Sequence, residues 1–510
     1  MKILWTDGNI HTMHKDGEKV DAVLVEDGKI IQTGRKEELL ELADVVHSLD
    51  GASMYPGFVD SHIHLIGHGE KLAYLDLSLI DSIEEIVDEV TSRVLNEKWY
   101  VAEGWNDNKL KENRPITRYD LDKMKDTPVV LKRICRHVLV ANTKAIELAG
   151  ITKETPNPTG GIIGKDTEGN LNGLFYDSAQ QLITSKIPPT TTDYLVEVIK
   201  SSVSDLQSKG LTGVHTEDMA YYGPYTVPLK AYRKVIGRSF RTHLLRHHDV
   251  FEEMQGEKET SSFIEFGAMK IFIDGSLGGH TALLSEDYSD NPGNKGVAVH
   301  KPEKLEQLVR MARSYNETIA VHVIGDKAVE IILDLIEKYP VPSGKKDRLI
   351  HVNVLREDLV NRMAELPVVL DLQPMFVPSD FPWVKERLGK DRLKWSYAWK
   401  TLISRGFDCS GGSDSPIEIA DPLLGMDAAV NNKYLPDQAL TAFEAISLFT
   451  TGSAKAIGKE RERGRILPGF DADFTIVDIE LNETTFRKAS IVETIVAGET
   501  VYLNNSLREK

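Results

Sequence analysis

His62 and His64 stand two residues apart at the end of Tyr55-Pro-Gly-Phe-Val-Asp-Ser-His-Ile-His-Leu65. Side chains alternate across a strand, so a strand running to residue 64 turns both imidazoles to one side and Ile63 to the other. Two imidazoles presented together are half of a divalent-metal site, although alone they are also ordinary strand positions. More residues of the same chemical kind close short apolar runs downstream. They are His215 in Gly213-Val-His, His322 in Ile319-Ala-Val-His, His351 in Leu349-Ile-His and Asp414 in Ser410-Gly-Gly-Ser-Asp, with Lys270 inside Met269-Lys-Ile-Phe-Ile-Asp-Gly275. A single histidine in an apolar strand is commonly a satisfied core residue; this many at matching strand ends ask for a shared purpose. Imidazoles and a carboxylate without supporting cysteines suit zinc or a similar transition ion, with a position left open for water.

Such residues need elements that bring them together. From Pro56 to about residue 458, short apolar strands alternate with amphipathic helices. Strands are expected at 58–64, 211–216, 241–246, 268–274, 318–323, 348–353, 368–373 and 407–412, and helices at 193–209, 303–315, 327–338 and 356–365. Eight strands each followed by helical sequence predict an α/β fold, a (β/α)8 TIM-type barrel whose functional side chains gather at the carboxyl ends of the strands. Residues 1–54 and 459–510 read as β; Asp27-Gly28 between two apolar runs is a hairpin signal. Neither end can form a core alone, so a small β-sandwich built from both chain termini is expected, with the barrel domain at 55–458 between them. The stretch from about 69 to 190 breaks the rhythm with extra strands (Trp99 to Gly104, Pro128 to Ile134) and a Gly-rich loop at 159–164. It reads as an α+β insertion after the first barrel strand, either a lid or specificity element at the barrel mouth or a decoration.

Bulk properties narrow the function classes. The 510 residues carry a net charge of −17 and are 41% hydrophobic and 27% charged, an ordinary globular balance that argues against nucleic acid or an anionic membrane as partner. Two distant cysteines, Cys135 and Cys409, exclude a disulfide framework, and no apolar run has the length of a signal peptide or membrane span. The expectation is a cytoplasmic enzyme acting on a small molecule, with a homo-oligomer as an option that size and acidity leave open.

The PGFVDxHxH opening, strand-end His322 and His351, and Gly412-Ser-Asp414 together resemble the metal-dependent amidohydrolase superfamily. Met269-Lys-Ile-Phe-Ile-Asp-Gly-Ser-Leu-Gly-Gly-His-Thr-Ala282, Gly160-Gly-Ile-Ile-Gly164 with the residues to Gly173, and Leu467-Pro-Gly-Phe-Asp-Ala-Asp473 are similar to its YtcJ-like branch, amidohydrolase family 3. The resemblance spans essentially the whole chain. It implies one or two zinc-type ions: His62, His64 and Asp414 on the more buried one, His322 and His351 on the second, and Lys270, carbamylated in many relatives, between them. An unmodified ammonium beside two cations would be repelled, whereas a carbamate is an anion with two oxygens; an unmodified Lys270 paired with an acid, beside one metal, is the alternative. Departures from the branch fall on expected substrate contacts: Ile350-His351 for Glu-His, Cys135-Arg136-His137 for Asp-Gly-His, Asp177 for a glutamate, and His280 for an arginine.

The activity implied is hydrolysis of a non-peptide C–N bond, in an N-acyl, N-formyl or cyclic amide, by water that a metal acidifies to a pKa of about 7. Asp414 is the expected general base, with a helix N-cap before Pro416 as its bland alternative. His215 and His280 could orient substrate or stabilise an oxyanion, and His137 could reach the mouth from the insertion. Trp105, Tyr176, Phe376 and Trp383 could line an apolar pocket, or could simply pack. Cys409 is expected to be a buried small residue and not a nucleophile. A ring deaminase of the same superfamily and a catalytically silent regulator on this scaffold are the rival functions.

Overall fold

Short β-branched and leucine-rich runs that can hide both faces build a parallel sheet of eight strands. They are, in chain order, β1 Phe58–Ile63, β2 Leu211–Thr216, β3 Arg241–His247, β4 Ile264–Phe272, β5 Ile319–Val323, β6 Asp347–His351, β7 Val368–Leu372 and β8 Cys409–Gly411. The computed structural model describes residues 1–508 apart from 74–76, 78–79, 94–98, 108, 134–137, 159, 189, 260 and 382. Each strand pairs in parallel with the next, β1 with β2 through to β7 with β8. The seam between β8 and β1 has no ladder. It is drawn together past the strand ends, where Asp414 N–H donates to His62 O at 2.7 Å and Ser413 N–H to the Asp60 carboxylate at 3.1 Å. The result is a nearly closed barrel of the TIM type.

Helices α1 Thr192–Ser208, α2 Thr226–Val235, α3 Pro302–Ser314, α4 Asp326–Lys338, α5 Glu357–Ala364, α6 Trp399–Ser404 and α7 Pro422–Val430 lie between or after the strands. Their apolar stripes, such as Leu195, Ile199 and Leu206 on α1 and Ile332, Leu333 and Ile336 on α4, pack in the same core as Val214, Met269, Val321, Leu349 and Leu370 of the strands. Among the described residues, the link from β3 to β4 carries only a short 3-10 turn, Glu253–Gly256. The four helices expected from periodicity are present with ends shifted by a residue or two. One expectation is corrected: no helix starts at Pro416, and α7 is capped by the Asp421 carboxylate at the N–H groups of Leu423 and Leu424.

Strands from both chain ends pair into one eight-stranded sheet in the order Glu499–Leu503, Ile491–Val496, Phe474–Val477, Ser53–Pro56, Ile3–His11, Lys19–Glu26 and Lys29–Gly34, with Val45–Ser48 beside Ile3–His11. Ser53–Pro56 against Phe474–Val477 is where the two termini join. Asp27 and Gly28 both take positive φ, 51° and 79°, as a tight hairpin requires.

Residues 1–68 and 192–510 form one compact unit, and Gly69–Thr191 a second. The second unit has its own five-stranded sheet, including Tyr100–Trp105, Val129–Arg133 and the hairpin Gly161–Lys165 with Leu171–Asp177. Most of the expected Gly-rich loop is therefore strand. Trp105, read as a pocket residue from sequence, is instead 1% exposed in this unit's core with its indole N–H on Leu131 O. Among the described residues no helix is long and apolar enough to cross a membrane.

Candidate active site

β1, β4, β5 and β6 deliver their polar residues to one end of the barrel because register aligns them: His247 of β3 lies opposite Lys270, Phe272 opposite His322, and Val323 opposite His351. One nitrogen each of His62 and His351 and an Asp414 oxygen lie within 4.8 Å of one another. His62 Nε2 is 3.3 Å from Asp414 Oδ1 and 3.3 Å from Lys270 Nζ, and His64 Nε2 is 3.6 Å from Asp414 Oδ1. His322 adjoins His351, ring centroids 4.6 Å apart. His62, His64, Lys270, His322, His351 and Asp414, spread over 350 positions of sequence, thus meet at one place.

The backbone holds these groups under constraint. Asp414 and His351 take positive φ, 58° and 80°, and β-branched Val352 takes 43°, conformations that L-residues rarely adopt and that persist where surrounding structure dictates them. Neighbours fix the imidazole tautomers. His64 Nδ1–H donates to Glu217 O at 2.8 Å, and His351 Nδ1–H to Gln373 Oε1 at 2.8 Å, which leaves both Nε2 atoms as lone-pair donors. His351 Nε2 is buried with no hydrogen-bond partner among the described residues. His322 Nε2–H is held by Gly275 O at 3.0 Å, leaving Nδ1 as its free nitrogen.

Electrostatics keep His62, His322 and His351 uncharged. Burial, reinforced by Lys270, pushes His62 far below the usual histidine value and His322 down to about 4; burial and then His322 do the same to His351. Burial also lowers Lys270 to about 8, against the opposing pull of Glu217 and Asp414. Neutral imidazoles, a carboxylate and a buried amine form a donor set that a zinc-type cation fits, and the partnerless His351 nitrogen is the observation that supports the fit most directly.

Seven rings close a circuit around this centre. Successive centroids are 5.8 Å (His62–His64), 6.1 Å (His64–Tyr221), 5.6 Å (Tyr221–His247), 5.9 Å (His247–Phe272), 5.3 Å (Phe272–His322), 4.6 Å (His322–His351) and 5.5 Å (His351–His62). Phe376 stacks on His351 at 5.6 Å, so it does stand at the site. Trp383 lies under the Arg387 guanidinium, and Tyr176 packs in the second unit.

Other expected contacts are placed elsewhere. His215 is buried inside the barrel, facing His243 at 5.2 Å and lining a cavity of about 30 Å³ with Arg241, Glu265 and Arg463. His280 is engaged by Asp290 at 3.1 Å and by Arg387, so its ring nitrogens are occupied. Arg387 Nη2 also donates to Gly278 O at 3.0 Å, so an arginine reaches this turn from another element. His137, with Cys135 and Arg136, falls outside the described residues. Cys409 is buried and its thiol is raised by burial, as an inert side chain would be. Sequence reasoning missed Glu217, Tyr221, His247, Phe272 and Gln373. The His247-His248 doublet was a usable signal; Gln373 gave none.

A parallel barrel with imidazoles, a buried lysine and an aspartate gathered at its carboxyl end has the architecture of a barrel hydrolase. The comparison with known sequences makes this specific: the chain belongs to the amidohydrolase family, whose model matches residues 45–502. It is 47% identical to the amidohydrolase-family protein YtcJ of Bacillus subtilis (strain 168), covering 98% of this chain and 99% of that one. It is 26% identical to the N-substituted formamide deformylase of Arthrobacter pascens over 97% of both. The crystal structure of an uncharacterized metal-dependent hydrolase from Pyrococcus furiosus superposes with a TM-score of 0.82 at 30% identity, covering 94% of this chain and 99% of that one.

Proposed function

We propose that this protein is a metal-dependent amidohydrolase that cleaves a non-peptide C–N bond of a small N-acyl, N-formyl or cyclic amide. The observation that carries the reading is the meeting of His62, His351 and Asp414 donor atoms within 4.8 Å of one another, beside Lys270. His62, His64 and Asp414 would hold one zinc-type ion, and His322 and His351 a second. Lys270 would lie between them as a carbamate: its fully buried amine, lowered to about 8, is unprotonated often enough near neutral pH to take up carbon dioxide, and an ammonium there would oppose the cations. When bound, such ions acidify water to a pKa of about 7 and polarise a carbonyl oxygen. Asp414 takes the proton of the attacking water and returns it to the leaving nitrogen, and its strained φ of 58° keeps the carboxylate beside His62 and His64. Phe272, Phe376 and Tyr221 supply apolar walls for the substituent. The relative named as an N-substituted formamide deformylase makes formyl and short acyl amides the first substrates to try.

Chelation should abolish hydrolysis across a panel of N-formyl and N-acyl amines and cyclic ureides, and zinc should restore it. Asp414→Asn should keep metal bound while cutting turnover by about 10²–10⁴-fold. Turnover indifferent to chelation, or near-wild-type rates in Asp414→Asn, would defeat the proposal. Release of ammonia from a ring amidine in place of amide cleavage would transfer the chain to the ring deaminases.

A further inference from the structure

We infer that Tyr221, oriented by Glu217, reads the nitrogen of the scissile amide, so that the site takes amides whose nitrogen still carries a hydrogen. The inference rests on the amide-hydrolysis reading above and names the substrate class more narrowly. β2 ends at Thr216, and the next residue, Glu217, is fully buried. It holds two neighbours at once. Its backbone oxygen accepts the His64 Nδ1–H at 2.8 Å, and its carboxylate Oε2 accepts the Tyr221 hydroxyl at 2.5 Å.

A tyrosine hydroxyl has one proton and can also accept. With the proton committed to a buried carboxylate, Tyr221 Oη offers any other partner an acceptor. The side chain is nevertheless not packed away: Tyr221 is 48% exposed although its hydroxyl end is tied to a residue with no exposure. Its ring lies 6.1 Å from that of His64 and 5.6 Å from that of His247, within the circuit of rings at the barrel's carboxyl end. His64 in turn faces Asp414 at 3.6 Å, the carboxylate that would hand a proton to the leaving nitrogen. An acceptor fixed on the ring that neighbours His64, which itself adjoins Asp414, is suited to bind the N–H of the scissile nitrogen and to orient its lone pair toward Asp414.

N-Monosubstituted formamides and acylamines, and cyclic amides with a free N–H, satisfy this acceptor. An N,N-disubstituted amide presents carbon in its place and leaves the oxygen unpaired once water is displaced. Sites built around a polar partner reject analogues that lack it more strongly than apolar pockets reject an extra methylene.

The test measures kcat/KM on the zinc-loaded enzyme for matched pairs, an N-alkylformamide and its N-methyl-N-alkyl counterpart, in wild type, Tyr221→Phe and Glu217→Gln. The wild type should prefer the secondary amide by at least about tenfold. Tyr221→Phe, which removes only the oxygen, should collapse that ratio by lowering the secondary amide's kcat/KM at least about tenfold more than the tertiary amide's. Glu217→Gln should keep the preference, because the glutamine amide oxygen still accepts the hydroxyl proton and leaves Tyr221 Oη an acceptor. A preference that survives in Tyr221→Phe is steric and overturns the inference while leaving amide hydrolysis standing, as does a wild type that hydrolyses both members equally. A wild type that hydrolyses neither overturns the amide reading and this inference with it.

Discussion

Replacing Gln373 with leucine should weaken metal binding although Gln373 would never touch the metal. Gln373 Oε1 accepts the His351 Nδ1–H at 2.8 Å, and both residues are 1% exposed. Leucine fills similar volume without an acceptor. The stranded N–H costs about 1–3 kcal/mol, and the imidazole loses the partner that keeps its lone pair on Nε2. Removing such a partner from a metal-holding histidine lowers affinity by about 10–100-fold, which is about 1.4–2.8 kcal/mol and agrees with the hydrogen-bond figure. A competition titration of apo protein and a chromophoric chelator for zinc reads the affinity, and urea unfolding reads the stability. Gln373→Glu keeps an acceptor and should bind zinc at least as tightly as the wild type. Affinity within about twofold of wild type in Gln373→Leu, or equal losses in both variants, would refute the reasoning.

Two further outcomes follow from buried charge. Arg348 donates its Nε–H to Asp371 of the neighbouring strand β7 at 3.0 Å, and its Nη2 reaches Ser61 O of β1 at 2.6 Å; Ser61 and Ser410 also donate to Asp371. Arg348→Met strands the buried carboxylate and should cost about 3–5 kcal/mol in urea unfolding, and a loss below about 1 kcal/mol would contradict that role. His11 stacks on Tyr55 at 4.4 Å, and burial, then Lys19, lowers it to about 4. The unfolded ring, near 6.5, takes its proton first, so this ring's contribution to stability is complete above that pH and is lost as pH falls toward 4. For a side chain 12% exposed the loss is roughly 2 kcal/mol after screening. His11→Phe should flatten the fall in urea midpoint between about pH 7 and pH 4.5, and an unchanged slope would show that other groups carry it.

Much of the barrel was legible because its strands hide both faces: runs such as Ile319-Ala-Val and Leu349-Ile cannot be surface helix or loop, and each stops at a polar residue that register then aligns. The pairing of the two chain ends was legible for the converse reason, that neither half has apolar area enough alone. What surrounds the centre was not. Tyr221, in the turn after β2, and Phe272, on β4, enter through ring contacts between segments far apart in sequence, and Gln373, just past β7, matters only because the residue it faces is His351. His215 misled because a strand-end position does not say whether a ring faces the mouth or the barrel interior, where His215 meets His243. Trp105 misled because an aromatic in an insertion packs its own core as readily as it lines a pocket.

Anomalous diffraction at the zinc edge, from crystals of the zinc-loaded protein, bears most directly on the proposed metal centre. It should place one zinc beside His62, His64 and Asp414 and a second beside His322 and His351, with added density on Lys270 Nζ. The protein offers another His/Asp group, His247 with His248 and Asp249. Zinc found there, with none beside His62 and Asp414, would contradict the proposal.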